Sequence, residues 1–168
     1  MSAEPLTGAA WVFGDNIDTD VLAPGHAMKK PIEELAKHTL EAVAPQFASA
    51  VRRGDFIVAG KGFGIGSSRE QAAQALLYLG VAAVLAESSA RIFYRNAFNL
   101  GLPVLEFPQA GRVAQGDRLR VDLASGRVDN LTRNESYQCE PIPGFLLEIV
   151  RDGGLIANLH KRLHGKRA

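Results

Sequence analysis

The sequence predicts one mixed α/β domain with an α/β front and a β-rich back. Three observations predict it. Up to about residue 107, short apolar runs of strand type alternate with segments of helical periodicity. Beyond that point, Arg118-Leu119-Arg120-Val121-Asp122-Leu123 alternates with period two and leads through Ser125-Gly126 into a second such run. The 168 residues suit a single hydrophobic core, with residues 1–168 as one domain, its core at about 10–160 and a short basic tail. The back half lacks the alternating helices that a doubly wound sheet requires.

Taken in order, Ala10-Trp11-Val12-Phe13 is a first strand, closed by the turn-rich Gly14-Asp15-Asn16. Ile17-Asp18-Thr19-Asp20 and Val21-Leu22-Ala23 follow, ended by the breaker Pro24-Gly25. A helix is expected with Pro31 in its first turn, where a missing N–H costs nothing and Glu33 and Glu34 suit the dipole. Pro45 interrupts it, and Phe47 to Arg53 reads as one or two further helical turns. Phe56-Ile57-Val58-Ala59 is a buried strand running into the glycine-rich loop Gly60 to Gly66. From Ser67 the apolar residues Ala72, Ala73, Leu76 and Leu77 recur at helical spacing, and Gly80 is a natural stop. Val81 to Ala86 is another buried strand. Ser88 or Ser89 is expected to cap a helix that Gly101 and Pro103 terminate, with Val104 to Phe107 the next strand. The two period-two runs form a hairpin. Phe145 to Val150 fits either strand or helix, and Gly154 to Arg162 is a closing helix.

Composition narrows the function classes. Apolar residues make up 46% and charged residues 22%, an ordinary globular balance. Nineteen basic and eighteen acidic residues leave a charge of +1, and the only basic run is the tail Lys161 to Arg167, so no nucleic-acid partner is expected. The N-terminus shows no secretory pattern and no apolar run is long enough to span a bilayer, so a cytoplasmic protein without a membrane partner is expected. Cys139 is the only cysteine. It excludes an internal disulfide, and a single thiol cannot hold an iron–sulfur cluster.

The chemistry-bearing stretch is Gly64-Ile65-Gly66-Ser67-Ser68-Arg69-Glu70-Gln71-Ala72. Ser67 and Glu70 stand at the spacing of a capping box. A helix beginning there offers unpaired N–H groups and roughly half a positive charge, which favours an anion. Arg69 adds a planar fork suited to a carboxylate or phosphate. The phosphate-loop, dinucleotide and lipase-elbow patterns are all absent, which makes a carboxylate the better match. Spacing alone leaves open the alternative that Ser67 only caps and Arg69 is only solvated. Asp15, Asp18 and Asp20 do not continue into a calcium loop; turn capping is the simpler reading, and no metal ligands are assigned.

Four blocks then stand in order: Gly14 to Asp20, Gly60 to Ala72, Ala86 to Asn96, and Gly101-Leu102-Pro103. Together they resemble the small subunits of 3-isopropylmalate dehydratases and the swivelling domain of aconitases, over about Val12 to Leu159. The resemblance implies an aconitase-type swivelling β/β/α domain with a flattened, barrel-like mixed sheet. It also implies a large subunit carrying a 4Fe–4S cluster, in a heterodimer or higher hetero-oligomer, with no cofactor bound by this chain. The cluster's open iron would act as Lewis acid on a departing hydroxyl. Carried over residue by residue, Ser67 matches the base that removes a carbon-bound proton. Ser68 is placed to assist, and Arg69 holds a substrate carboxylate. Asp20 matches a residue supporting proton transfer to the leaving hydroxyl through a large-subunit histidine.

The implied activity is a hydro-lyase isomerising 2-isopropylmalate and 3-isopropylmalate in leucine biosynthesis. Homoaconitate, citramalate or dimethylmalate are rival hydroxy-diacids, and a non-catalytic carboxylate- or nucleotide-binding module is the rival class. Two departures bear on substrate. The family usually shows Asn-Phe-Gly-Cys-Gly before the serines, where this chain has Gly62-Phe63-Gly64-Ile65-Gly66. In the substrate-specificity loop, relatives carry a tyrosine-containing stretch, where this chain has His26-Ala27-Met28-Lys29. Met28 suits a flexible apolar group, and Lys29 or Lys30 suits a second carboxylate.

Overall fold

The computed structural model describes residues 4–165. Lys166 and Arg167 of the basic tail lie outside them. Seven strands form one mixed sheet in the order β4-β3-β2-β1-β5-β6-β7, which curls into a half-barrel. Strands β1 (Leu6–Val12), β2 (Phe56–Ala59), β3 (Ala83–Ala86) and β4 (Val104–Glu106) are mutually parallel. Strands β5 (Arg118–Asp122), β6 (Arg127–Asn130) and β7 (Glu135–Gln138) extend the sheet antiparallel from the other edge of β1.

The parallel half follows from its sequence. Every residue of β2 and β3 is buried, as strands covered on both faces require, and neither run contains a charge. Helices α4 (Glu70–Tyr78) and α5 (Arg91–Leu100) connect β2 to β3 and β3 to β4 and pack on each other. They stop where expected: Gly80 and Gly101 both take left-handed conformations, φ +90° and +92°. The segment between β1 and β2 holds only short helices, α1 (Thr19–Leu22), α2 (Ile32–Leu35) and α3 (Phe47–Ala50). Pro31 is the N-cap of α2, which gives way to a 3-10 turn at Ala36–His38 well before Pro45. Phe47, fully buried, meets Trp11 and Phe13 edge to face at 5.2 and 5.9 Å and fixes this segment against β1.

Two strands depart from the sequence reading. Strand β1 begins at Leu6, four residues early, because its first half pairs with β5, with Leu6 opposite Val121 and Ala9 opposite Arg118. That pairing joins segments more than 100 residues apart, so no local pattern marks it. Gly8 is needed there: a Cβ would lie 2.1 Å from the Gly54 carbonyl oxygen. Strand β7 was not expected at all. Its residues Glu-Ser-Tyr-Gln are mostly exposed and carry no apolar alternation, and only its pairing with β6 makes it a strand. Phe145 to Val150 resolves as helix α6 (Gly144–Arg151), and the closing helix is α7 (Leu155–Gly165). In α7, Lys161 pairs with Asp152 and Arg162 with Glu148, so part of the basic tail is neutralised within the chain.

The antiparallel half is stapled by buried carboxylates. Asp129 on β6 accepts from Arg127 Nε (2.8 Å), Ser136 Oγ (2.7 Å) and Arg120 Nη2 (3.0 Å). The Arg127 contact foremost, then Ser136 and Arg120, holds its pKa down at about 2, against 3.8 ordinarily. A lowered folded-state pKa stabilises the fold above the unfolded value, and this contribution disappears as pH falls through about 2. Asp129→Asn is therefore expected to lower the melting temperature at pH 6. The gap to the parent protein narrows steadily between pH 4 and pH 2, as followed by circular dichroism.

Candidate active site

The loops at the carboxyl ends of the parallel strands converge, as ligand sites in such sheets commonly do. Asn16 N–H donates to the Lys61 carbonyl (2.7 Å), Gly64 N–H to Ile17 (2.7 Å) and Thr19 N–H to Ile65 (2.9 Å). On the other side, Phe63 N–H donates to Ser88 and Ala90 N–H to Phe63, making a short parallel bridge between Phe63 and Ser89. Asp15 accepts from Lys61 N–H (2.7 Å), and Ser88 Oγ accepts from Gly62 N–H (2.9 Å). The three sequence blocks at 14–20, 60–72 and 86–96 thus form one rigid cluster with the glycine loop in its centre. The loop can sit so deeply because Gly64 (φ +81°) lies over Phe93, where a Cβ would meet the Phe93 side chain at 2.4 Å.

Ser67 and Ser68 emerge exposed from this loop. They do not begin the helix. Helix α4 starts at Glu70, and its N-cap is Arg69, in an extended conformation (φ −126°, ψ 106°) with no side-chain cap. The expected capping box between Ser67 and Glu70 is therefore not formed. The cause is Arg69 itself: its Nη1 donates to Asp20 Oδ1 (2.9 Å) and to the Ala23 carbonyl (2.8 Å), which keeps the chain extended up to residue 69. The serines thus stand two and one residues ahead of the cap, and the Ser67 hydroxyl is not spent on a helix N–H. Nor does Ser88 or Ser89 cap α5. Ala90 is its N-cap, and the Ser88 hydroxyl serves the glycine loop instead.

Asp18 and Asp20 have separate tasks. Asp18 caps α1 by accepting from Val21 N–H (2.9 Å), the simpler role considered for it. Asp20, two residues further on in the first turn of α1, is largely exposed and accepts from both Arg69 and the Gly25 N–H (3.1 Å). The Arg69 contact, then the Gly25 N–H, holds its carboxyl below the usual carboxylate range, so it is an anion at neutral pH. Both Arg69 contacts run through Nη1. A guanidinium has five N–H donors, so the edge formed by Nε and Nη2 is left for a ligand.

The loop expected to set substrate specificity leaves this site through Gly25. Residues Gly25–Ala27 form a 3-10 turn, with Lys29 exposed just beyond it. Ala27 is fully buried, so its methyl group faces the core, and Met28 is half-buried against the same core. His26 points away to Glu41, with Nε2 and Oε1 3.0 Å apart. Nothing in the sequence marked Glu41 or His38, its second neighbour, since the contact forms across irregular chain. The structure therefore joins Asp20 to Arg69 and places Ser67 and Ser68 on the neighbouring loop. Lys29 makes no contact with that pair.

The site is an open surface. A cleft of about 750 Å³ lies elsewhere, between α5 and the segment entering α6, lined by Arg91, Tyr94, Phe98, Glu140 and Phe145. Cys139 is buried, and burial pushes its thiol up to about 11, which disfavours the thiolate a cluster would need. With one such thiol, this chain's donors do not fit an iron–sulfur cluster.

Comparisons with known proteins place the fold in a family. Residues 20–110 match the aconitase C-terminal domain family. The chain is 50% identical over 162 residues to 3-isopropylmalate dehydratase small subunit 1 of Thermotoga maritima, covering 95% of this chain and 96% of that one. It is 48% identical to the methanogen homoaconitase small subunit of Methanothermobacter thermautotrophicus, over 94% and 92% of the two chains. The crystal structure of a 3-isopropylmalate dehydratase from Methanocaldococcus jannaschii superposes with a TM-score of 0.89 at 40% identity, covering 98% of this chain and 99% of that one. Among the described residues, no helix is long and apolar enough to cross a membrane. The chain belongs to the aconitase C-terminal domain family and, within it, to the small subunits of hydro-lyases of the 3-isopropylmalate dehydratase type.

Proposed function

We propose that this chain pairs with a large subunit bearing a 4Fe–4S cluster, and that the pair interconverts 2-isopropylmalate and 3-isopropylmalate. In this reading Ser67 removes the carbon-bound proton of the hydroxy-diacid as the hydroxyl leaves the neighbouring carbon, giving the unsaturated diacid and water; water then adds back with hydrogen and hydroxyl exchanged between the two carbons, which completes the isomerisation. A serine hydroxyl is a weak acid, so its alkoxide must be stabilised. The N-terminus of α4, with unpaired N–H groups two residues away, and the Arg69 guanidinium supply that stabilisation. Arg69 grips a substrate carboxylate through its free edge, while Asp20 and Ala23 fix its other edge. Ser68 assists in binding and Lys29 reaches the substrate's variable end. The anionic Asp20 supports proton transfer to the leaving hydroxyl through the partner.

The observation that carries this reading is an exposed, uncapped Ser67 beside an arginine whose one edge is anchored and whose other edge is free. A solvent-open site also suits a surface that a partner covers, since a stand-alone binding module would need a formed concavity around the same residues. A homoaconitate-type substrate is the second reading, favoured by the 48% identity to a homoaconitase small subunit and by an exposed Lys29 able to meet a third carboxylate. The test is an assay of the reconstituted pair on 2-isopropylmalate, homoaconitate, citramalate and dimethylmalate. The proposal expects the highest kcat/KM on 2-isopropylmalate. A preference for homoaconitate reassigns the substrate, and inactivity on all four removes the catalytic reading.

A further inference from the structure

We propose that His26, His38 and Glu41 form a binding site for a zinc-class divalent cation that clamps the substrate-specificity loop to the turn after α2. Glu41 lies between the two imidazoles, with Oε1 3.0 Å from His26 Nε2 and Oε2 2.8 Å from His38 Nδ1. The three donor atoms lie within 4.8 Å of one another. Ligands at about 2.0–2.1 Å around a tetrahedral ion stand roughly 3.4 Å apart, so small side-chain rotations bring these three onto one ion. Two imidazoles and a carboxylate are the donor set that zinc-class ions take with one position left open.

The backbone beneath is firmly held. Leu40 is fully buried, adopts φ +61°, and donates its N–H to the Val21 carbonyl (3.0 Å). Its neighbour Glu41 is bonded back to the His38 carbonyl. The two imidazole rings meet nearly edge to face, 4.8 Å between centroids. The His38 side chain is 29% exposed and that of His26 57%, so an ion enters from solvent and the open position faces it. His26 follows Gly25, whose N–H holds Asp20, so an ion here fixes the loop within one residue of the Asp20–Arg69 pair. This inference stands on the three side chains alone and does not depend on the assigned reaction.

The test is a titration of the chelator-treated chain with zinc chloride, followed by calorimetry and by the histidine imidazole resonances. The expected result is one saturable equivalent, with the His26 and His38 signals shifting together. His160 and His164, stacked 6.1 Å apart on α7, provide the internal control. Removing outer-sphere partners alone costs a metal site about 10–100-fold in affinity, so the His26→Gln, His38→Gln double variant is expected to lose at least about 100-fold. The His160→Gln, His164→Gln variant is expected to bind as the parent does. Absence of saturable binding overturns the proposal, as does binding that only the α7 variant abolishes or resonance shifts confined to His160 and His164.

Discussion

Ser67→Ala is expected to reduce turnover of the reconstituted two-subunit enzyme by about 10³-fold, with little change in KM. Positioned proton transfer contributes roughly 10²–10⁴-fold, and about 10³-fold corresponds to about 4 kcal/mol of transition-state stabilisation. The structural cost is expected to be small, because Ser67 is exposed, precedes the helix cap, and does not close the glycine loop. Loop closure rests on backbone bonds from Gly64 to Ile17 and from Phe63 to Ser88, which the substitution leaves alone. Melting temperature and assembly with the large subunit are therefore expected to match the parent. The loss should appear in kcat, as it does when an interaction made only in the transition state is removed. Ser68→Ala, beside it, is expected to have the smaller effect.

Arg69→Lys is expected to cost about 10²-fold or more in kcat/KM, divided between a raised KM and a lowered kcat. A lysine preserves the charge but not the planar fork, so it cannot hold Asp20 and Ala23 on one side and a carboxylate on the other. The same change releases Asp20. Because the Arg69 hydrogen bond is the foremost cause of the depressed Asp20 pKa, that pKa is expected to rise toward the ordinary aspartate value in the variant. Carboxyl NMR titration of the labelled chain reads this directly. A merely structural role for Arg69 would lower the melting temperature without the KM increase. Asp20→Asn separates the two effects, since it frees the guanidinium while leaving its fork intact.

Much of this was legible in the sequence wherever one residue type forces one conformation. The apolar run Phe56–Ala59 is a strand over the span its composition indicates, and Gly80 and Gly101 stop their helices in left-handed conformations. The hairpin of β5 and β6 follows from period-two alternation around Ser125-Gly126. What escaped notice depends on partners distant in sequence. The first half of β1 is a strand only because β5 returns to it, and β7 only because β6 offers an edge. The site divides along the same line. Ser67, Arg69 and Asp20 stand out as residue types in recognisable blocks, and the first structural surprise among them is a matter of one ion pair. A capping box is a local preference worth about 1 kcal/mol. Here it gives way to a guanidinium anchored to α1, a contact spanning 49 positions that no local pattern contains. The His26–Glu41–His38 cluster was hidden for a similar reason, since it is assembled across a 3-10 turn and a left-handed leucine rather than along a regular helix face.

Proton removal by the Ser67 hydroxyl is most directly tested by running the reconstituted enzyme in D2O and following, by NMR, deuterium entering carbon positions of the hydroxy-diacid. The parent complex is predicted to incorporate deuterium during isomerisation, and the Ser67→Ala complex, assembled and equally stable, to incorporate none above background. Incorporation at the parental rate by the Ser67→Ala complex would contradict the account and move the base to another residue.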